Sequence, residues 1–225
     1  MAATVLLIGT TVACRDDHRS AAAVVSADDV RRLPPQRKAE VPDVMMLAAD
    51  RGRVLGADGN AVQLYLVSDY QCAACRAWFE QVLPIVRDAY LRTDKARLSW
   101  VHYPLREHPS AVRAASAAMC AAAQGQFWDA SARIFAAQDR WGSQRDAAAD
   151  ATLDALALGP GVDSVALRAC TASTRMLRQI RADIDWVDQH GIGAVPTLLV
   201  GTRRIAATAP LAAVRAAIDS AIAGR

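Results

Sequence analysis

Two cysteines, Cys72 and Cys75, are separated by Ala73-Ala74 where an apolar run gives way to a helical pattern. The run Val62-Gln63-Leu64-Tyr65-Leu66-Val67 is nearly continuous in apolar residues, as a strand covered on both faces requires. Ser68-Asp69-Tyr70-Gln71 makes a short polar turn. Beyond Cys75, Phe79, Leu83, Val86 and Tyr90 recur near helical spacing. One helical turn brings both sulfurs within bonding reach. Cys72 falls at the helix N-terminus, where unpaired N–H groups and the helix dipole favour a thiolate. A thiolate is the nucleophile of dithiol–disulfide exchange.

A Cys-x-x-Cys pair can also be half of a zinc site, which needs a second pair of ligands at close spacing. Cys14, Cys120 and Cys170 each stand alone, and His18, His102, His108 and His190 form no HxxxH pattern. The expectation is therefore redox chemistry, with no metal and no bound cofactor.

Far downstream lies Gly191-Ile192-Gly193-Ala194-Val195-Pro196-Thr197-Leu198-Leu199-Val200. A proline that opens an apolar strand after a glycine-rich turn suits a cis-proline, although an ordinary trans proline at a strand start has the same local sequence. Together the two motifs resemble the thioredoxin superfamily, where a cis-proline loop packs against the CxxC. Ser68-Asp69-Tyr70-Gln71-Cys72 resembles the active-site entry of DsbA-like proteins of the BdbD type. So do His102-Tyr103-Pro104-Leu105-Arg106-Glu107-His108-Pro109 and Cys120-Ala121-Ala122-Ala123-Gln124-Gly125-Gln126-Phe127-Trp128. The resemblance runs in matching order from about Val54 to the C-terminus.

The resemblance implies an α/β fold: a thioredoxin fold with a helical insertion, about 109–190, between the CxxC β-α-β half and the cis-proline β-β-α half. The local patterns agree. Val62 to Val67, the helix after Cys72 and Leu98 to Tyr103 form a β-α-β unit, which implies a right-handed parallel pair. Pro84 should bend the intervening helix. Alanine-rich helical patterns fill Pro109 to about His190, broken at Pro160-Gly161. A strand at Thr197 to Val200, a short strand near Ile205 and a last helix carrying Leu211, Val214, Ile218 and Ile222 complete the chain.

The resemblance also implies roles. Cys72 is the exposed attacking thiol, Cys75 the resolving thiol and Pro196 the cis-proline beside them. Val195 offers its backbone to an extended substrate peptide, Tyr70, Val195 and exposed helical residues form a shallow apolar groove for unfolded chains, and Thr197 is a further substrate-binding candidate. Trp128 and Phe127 belong to the core. Ala73-Ala74 brings no charge and no side-chain hydrogen bond to the thiolate, so the helix end and backbone amides must stabilise it. Leu66 occupies the position of the buried carboxylate found in thioredoxin, six residues before the first cysteine. Leu66 means either a retuned enzyme or a dispensable carboxylate.

The 225 residues suffice for one domain with a sizeable core plus a tail, and 53% hydrophobic residues mark a globular chain. A net charge of +3, with Arg and Asp interspersed, gives no basis for nucleic-acid binding. Val5 to Ala13 before Cys14 resembles a lipoprotein signal, with Cys14 lipidated; a plain secretory signal and a buried N-terminal strand are the alternatives. The segment 15–40, with Pro34-Pro35, reads as a flexible tether with room for one helical turn, leading to a domain spanning 41–225; an N-terminal helix packed on the domain, with Val41 to Ala49 a candidate, is the alternative. Cys120 and Cys170 remain once the other cysteines are assigned. Some DsbA-like relatives carry a second pair, so a structural disulfide is expected; two separate buried thiols are the alternative.

The function implied is extracytoplasmic thiol:disulfide exchange on unfolded or reduced protein substrates, in the direction of disulfide formation. A membrane redox partner, a quinone-linked oxidase or a thiol reductase, would reset the pair. The place would be the bacterial cell envelope, with a lipid anchor. The alternatives are a reductase or isomerase on the same scaffold, and a weakly catalytic substrate-binding lipoprotein.

Overall fold

The computed structural model describes residues 25–34, 43–56, 58–59, 61–144, 146–206 and 208–225. Cys14 and the proposed signal lie outside the described residues. At the centre is a five-stranded sheet in the order β1-β3-β2-β4-β5. Its strands are β1 (Val54–Leu55), β2 (Val62–Ser68), β3 (Ala96–His102), β4 (Thr197–Val200) and β5 (Arg203–Ala206). β2 and β3 run parallel with Leu66 opposite Trp100, while β4 lies antiparallel to β2 with Leu198 opposite Leu66. The nearly continuous apolar sequence of β2 thus belongs to a central strand. Val200 pairs with Arg203 across a two-residue turn, where Gly201 takes φ 58°. A tight hairpin turn favours glycine there, because a side chain at positive φ crowds the backbone.

The helix after the CxxC is divided. α3 (Ala73–Gln81) stops at Val82, and α4 (Leu83–Val86) continues into a π-helical turn over Arg87–Leu91. Pro84 has no N–H for the helical ladder, so it interrupts the run at Val82, whose backbone stays helical; at the start of α4 that missing donor costs little.

Between β3 and β4 lie α5 (Ala111–Ala122), α6 (Phe127–Ala136), α7 (Gln138–Trp141), α8 (Asp146–Ala157), α9 (Ser164–Thr171) and α10 (Arg175–Gln189). α11 (Leu211–Ala223) closes the chain. The fold is a thioredoxin fold with a helical insertion. α5 is buried along almost its whole surface, and its alanines let neighbouring helices approach closely. Trp100, Phe127, Phe135 and Tyr70 form an aromatic cluster between sheet and insertion, with Tyr70 and Phe135 ring centroids 4.9 Å apart. Phe127 is fully buried within it.

Cys120 and Cys170 are disulfide-bonded, joining α5 to α9 with Cα atoms 5.8 Å apart. The tether expected over 15–40 needs correction. Within it, α1 (Ala27–Arg32) is a packed helix with buried Ala27 and Val30. Ser26 and Asp29 form a capping box that satisfies its first amides. Arg181 of α10 donates to the Leu33 carbonyl at 2.8 Å, and Asp28 pairs with Arg106 at 2.5 Å. The Pro-Pro pair and the dense charge suggested a tether, but two apolar residues on one helical face are enough to dock the segment. Next along the chain, α2 (Val44–Gly52) begins at the Asp43 cap.

Candidate active site

The site forms where the C-terminal end of β2 meets the N-terminus of α3. Cys72 is the N-cap of α3, and its sulfur accepts the Cys75 backbone N–H at 3.2 Å. A serine or aspartate oxygen usually fills this capping role. A sulfur placed here faces otherwise unpaired amides and the positive end of the helix dipole. The Cys72 thiol is lowered to about 7, first by the hydrogen bond from the Cys75 side chain and further by the backbone amides of Cys75 and Ala74. Desolvation and the charge of Asp69 oppose this.

Cys72, expected to be exposed, is itself buried, at 9% exposure, and Cys75 lies one turn further inside at 1%. Burial and the Cys72 sulfur raise its thiol well above the ordinary range. Its sulfur accepts the Asp69 amide at 3.5 Å. The two thiols thus differ: one is acidic and nearer the surface, the other more deeply buried and held protonated.

The second half of the site comes from the loop before β4. Val195-Pro196 is a cis peptide, and the Val195 carbonyl oxygen lies 3.9 Å from the Cys72 sulfur. Val195 is half-buried and Pro196 buried. Cys72, Cys75, Val195 and Pro196 are therefore brought together from opposite ends of the domain.

Two expected substrate-binding residues are not placed as the sequence suggested. Tyr70 is 1% exposed, its hydroxyl is 2.6 Å from Ser131 Oγ, and its ring packs on Trp100 and Phe135. It is a core residue that ties the active-site loop to α6. Thr197 is also buried, and its hydroxyl donates to the Ala194 carbonyl at 2.7 Å, stabilising the loop rather than facing substrate. Val195 is the one whose carbonyl lies against the Cys72 sulfur.

Several side chains that fix this loop had no role assigned from sequence. Buried Gln138 of α7 donates to the carbonyls of Tyr70 at 2.7 Å and Cys72 at 3.1 Å. Gln71 accepts the Ser110 amide at 2.9 Å and donates to the Gly142 carbonyl at 2.7 Å. The helical insertion thereby clamps the turn that presents Cys72. Leu66 is buried in the core between Trp100 and Leu198. The buried carboxylate nearest in sequence is Asp69, whose side chain is fully enclosed. It accepts the amides of Gln71 at 2.6 Å and Leu105 at 2.8 Å and contacts His108 Nδ1 at 2.8 Å. A charged residue directly after an apolar central strand was the available signal for Asp69; His108 gave none beyond its place in the motif.

Among the described residues, no group of three or more His, Cys, Asp or Glu side chains is arranged to hold a metal ion. What the arrangement can do is hold one sulfur as a thiolate beside a second, protonated sulfur.

A helix-capping dithiol beside a cis-proline loop defines a thioredoxin-fold redox site. A family model described as Thioredoxin matches residues 48–220, and the chain belongs to that family. The oxidised BdbD from Bacillus subtilis superposes with a TM-score of 0.69 at 21% identity, covering 77% of this chain and 95% of that one. DsbA from Chlamydia trachomatis superposes with a TM-score of 0.62 at 18% identity, covering 83% and 96%. In sequence, the chain is 31% identical over 84 residues to the "Probable disulfide bond formation protein D" of Bacillus anthracis, covering 37% of this chain and 39% of that protein. It is also 32% identical over 203 residues to a Salinispora arenicola protein named "Na(+)/H(+) antiporter NhaA 1". That match covers 86% of this chain and 29% of the relative, so the chain spans less than a third of that relative's length.

Proposed function

We propose that this chain catalyses thiol:disulfide exchange on protein substrates, forming disulfides through Cys72 and Cys75. The observation that carries the reading is the Cys72 sulfur at the N-cap of α3, accepting the Cys75 amide at 3.2 Å. In the oxidised protein, a substrate thiolate attacks Cys72 Sγ. The Cys72–Cys75 bond breaks, and Cys75 leaves as a thiolate and takes up a proton. A second substrate thiolate then attacks the substrate sulfur of the mixed disulfide, and Cys72 leaves. The products are a substrate disulfide and the protein dithiol, so two electrons pass to the protein. A leaving group of low pKa departs faster, and a stabilised Cys72 thiolate favours the reduced protein, which supports the oxidising direction.

The Val195 carbonyl beside Cys72 supports binding of an extended substrate backbone. A membrane redox partner, quinone-linked, would then reoxidise the dithiol. The Cys120–Cys170 bond supports an oxidising, extracytoplasmic location. Export and a lipid anchor at Cys14 rest on the N-terminal sequence pattern. Among the described residues no helix is long and apolar enough to cross a membrane.

The test is an oxidation assay on a reduced protein substrate, run beside an insulin-reduction assay. Faster oxidation that requires Cys72 supports the proposal. Insulin reduction without substrate oxidation assigns the chain as a reductase, and inactivity in both leaves a binding protein.

A further inference from the structure

Asp69 and His108 form a polar pair that the exchange chemistry above does not use. The Asp69 carboxylate is enclosed by protein, whereas the His108 side chain remains 22% exposed at the rim. Three contacts fix the carboxylate: the Gln71 amide, the Leu105 amide and His108 Nδ1. The Asp69 amide meanwhile donates to the Cys75 sulfur at 3.5 Å. The pair is therefore built into the loops that carry the dithiol.

We infer that Asp69 and His108 act together as positioning residues that set the acidity of Cys72. Asp69, whose backbone carbonyl accepts the Cys72 amide at 3.3 Å, holds the imidazole, and the imidazolium charge offsets the carboxylate's effect on the sulfur. The inference rests on the exchange reading and deepens it by naming what tunes the reacting thiol. Ala73 and Ala74 offer no charge, so the cation comes from a different loop. The electrostatics agree with the geometry. The Asp69 charge disfavours the Cys72 thiolate. The Asp69 hydrogen bond is the largest influence raising His108, and the charges of Asp69, Cys72 and Glu107 add to it. Arg106, on the same loop, is engaged by Asp28 of α1.

The consequence is a coupled titration. While His108 is protonated, the carboxylate is balanced and the thiolate is favoured. Loss of that proton leaves the carboxylate charge unbalanced, which opposes the thiolate. The reduced protein should then release the Cys72 and His108 protons in two linked steps that belong to the pair of groups. Reduction adds two electrons and two protons to the disulfide, or one proton fewer where Cys72 remains a thiolate. A stabilised thiolate favours the reduced form and makes the disulfide more oxidising.

The test is His108→Gln, which can still donate a hydrogen bond to Asp69 but carries no charge. Ultraviolet absorbance of the thiolate, followed against pH in the reduced protein, reads the acidity directly and requires no exchange activity. The Cys72 midpoint should rise by about one unit. At a pH where the Cys72 thiolate forms while native His108 still holds its proton, the glutathione equilibrium should shift by up to about tenfold toward the protein disulfide, and the shift should fade at higher pH as native His108 loses its charge. At about pH 5, where Cys72 is protonated in both proteins, the difference should vanish. Adding Asp69→Asn to His108→Gln removes the unbalanced carboxylate and should return the midpoint toward the native one. A His108→Gln midpoint equal to the native one would overturn the inference. So would a double variant no closer to native than His108→Gln, since a purely structural pair predicts no such rescue. Failure of the native disulfide to equilibrate with glutathione would count against the exchange reading instead, and the thiolate titration would still decide this one.

Discussion

The Cys72 sulfur lies 3.9 Å from the Val195 carbonyl oxygen, although 123 positions separate them in the chain. β4 beside β2 makes this possible, since it returns the chain from the helical insertion to the end of the CxxC strand. The reacting sulfur is thus held between a helix end and a backbone edge. Of the CxxC pair, alkylation of the reduced protein should label Cys72 first, with a rate that rises through pH of about 7 as its lowered thiol ionises. Cys75, whose thiol is raised by burial, should remain unlabelled until the protein unfolds. Peptide mapping checks this, and equal labelling of both cysteines in folded protein would contradict it.

The Cys120–Cys170 bond closes a loop with a sequence separation of 50. In the chain-entropy model such a bond contributes about 4 kcal/mol, and native disulfides of this kind typically contribute about 2–5 kcal/mol. Replacing both cysteines by alanine should lower the urea midpoint correspondingly while leaving the Cys72 titration intact. A variant as stable as the parent would show that the bond is not structural.

Some of this was legible in the sequence and some was not. The CxxC, the β2 run and the proline before β4 stand in local patterns whose physics is local. β1 has only two residues and joins the sheet through pairing with β3, so it has no periodicity to detect. Tyr70 beside the CxxC looked like a groove residue. Its direction is set instead by Ser131, which is 61 positions away, and by the aromatic cluster around it. Gln138 was equally unreadable, because its function is to satisfy carbonyls of a distant loop. α1 could have been found from the Ser26–Asp29 capping box, had the charge around it not pointed toward a tether.

Arg53 and Asp183 make a buried ion pair behind β3, flanked by Asp50 at 2.7 Å from the guanidinium. Asp183 also accepts the His102 amide at 2.9 Å. Asp183→Ala leaves the guanidinium without its main partner and should cost about 3–5 kcal/mol. Arg53→Met with Asp183→Asn should cost less than the sum of the two single changes, because neither charge is then stranded. Chemical denaturation of the four proteins checks this.

His102 is fully buried, and desolvation holds it well below the usual histidine range. Trp100 Nε1 donates to its Nδ1 at 3.1 Å, while Nε2 has no hydrogen-bond partner. The unfolded chain takes up a proton at this residue below about pH 6.5, whereas the folded protein does not. Its contribution to stability is therefore complete above about pH 6.5 and declines as pH falls, by up to about 1.4 kcal/mol per unit. His108 has the opposite sign, since its raised value gives a contribution present below about pH 6.5 and lost as pH rises through the folded value. His102→Gln should flatten the loss of stability between about pH 6.5 and pH 5. An unchanged slope in urea titrations would mean that His102 titrates alike in both states.

The most direct measurement is a trap. Reduced Cys75→Ser protein, incubated with a disulfide-bonded polypeptide such as insulin, retains the attacking thiol and lacks the resolving one. Intact-mass analysis should show a mixed disulfide through Cys72 that persists until reductant is added. Cys72→Ser treated in the same way should show none, because its remaining active-site thiol is buried. An adduct on Cys75 in the Cys72→Ser protein, with none on Cys72 in the other variant, would contradict the assignment of Cys72 as the nucleophile.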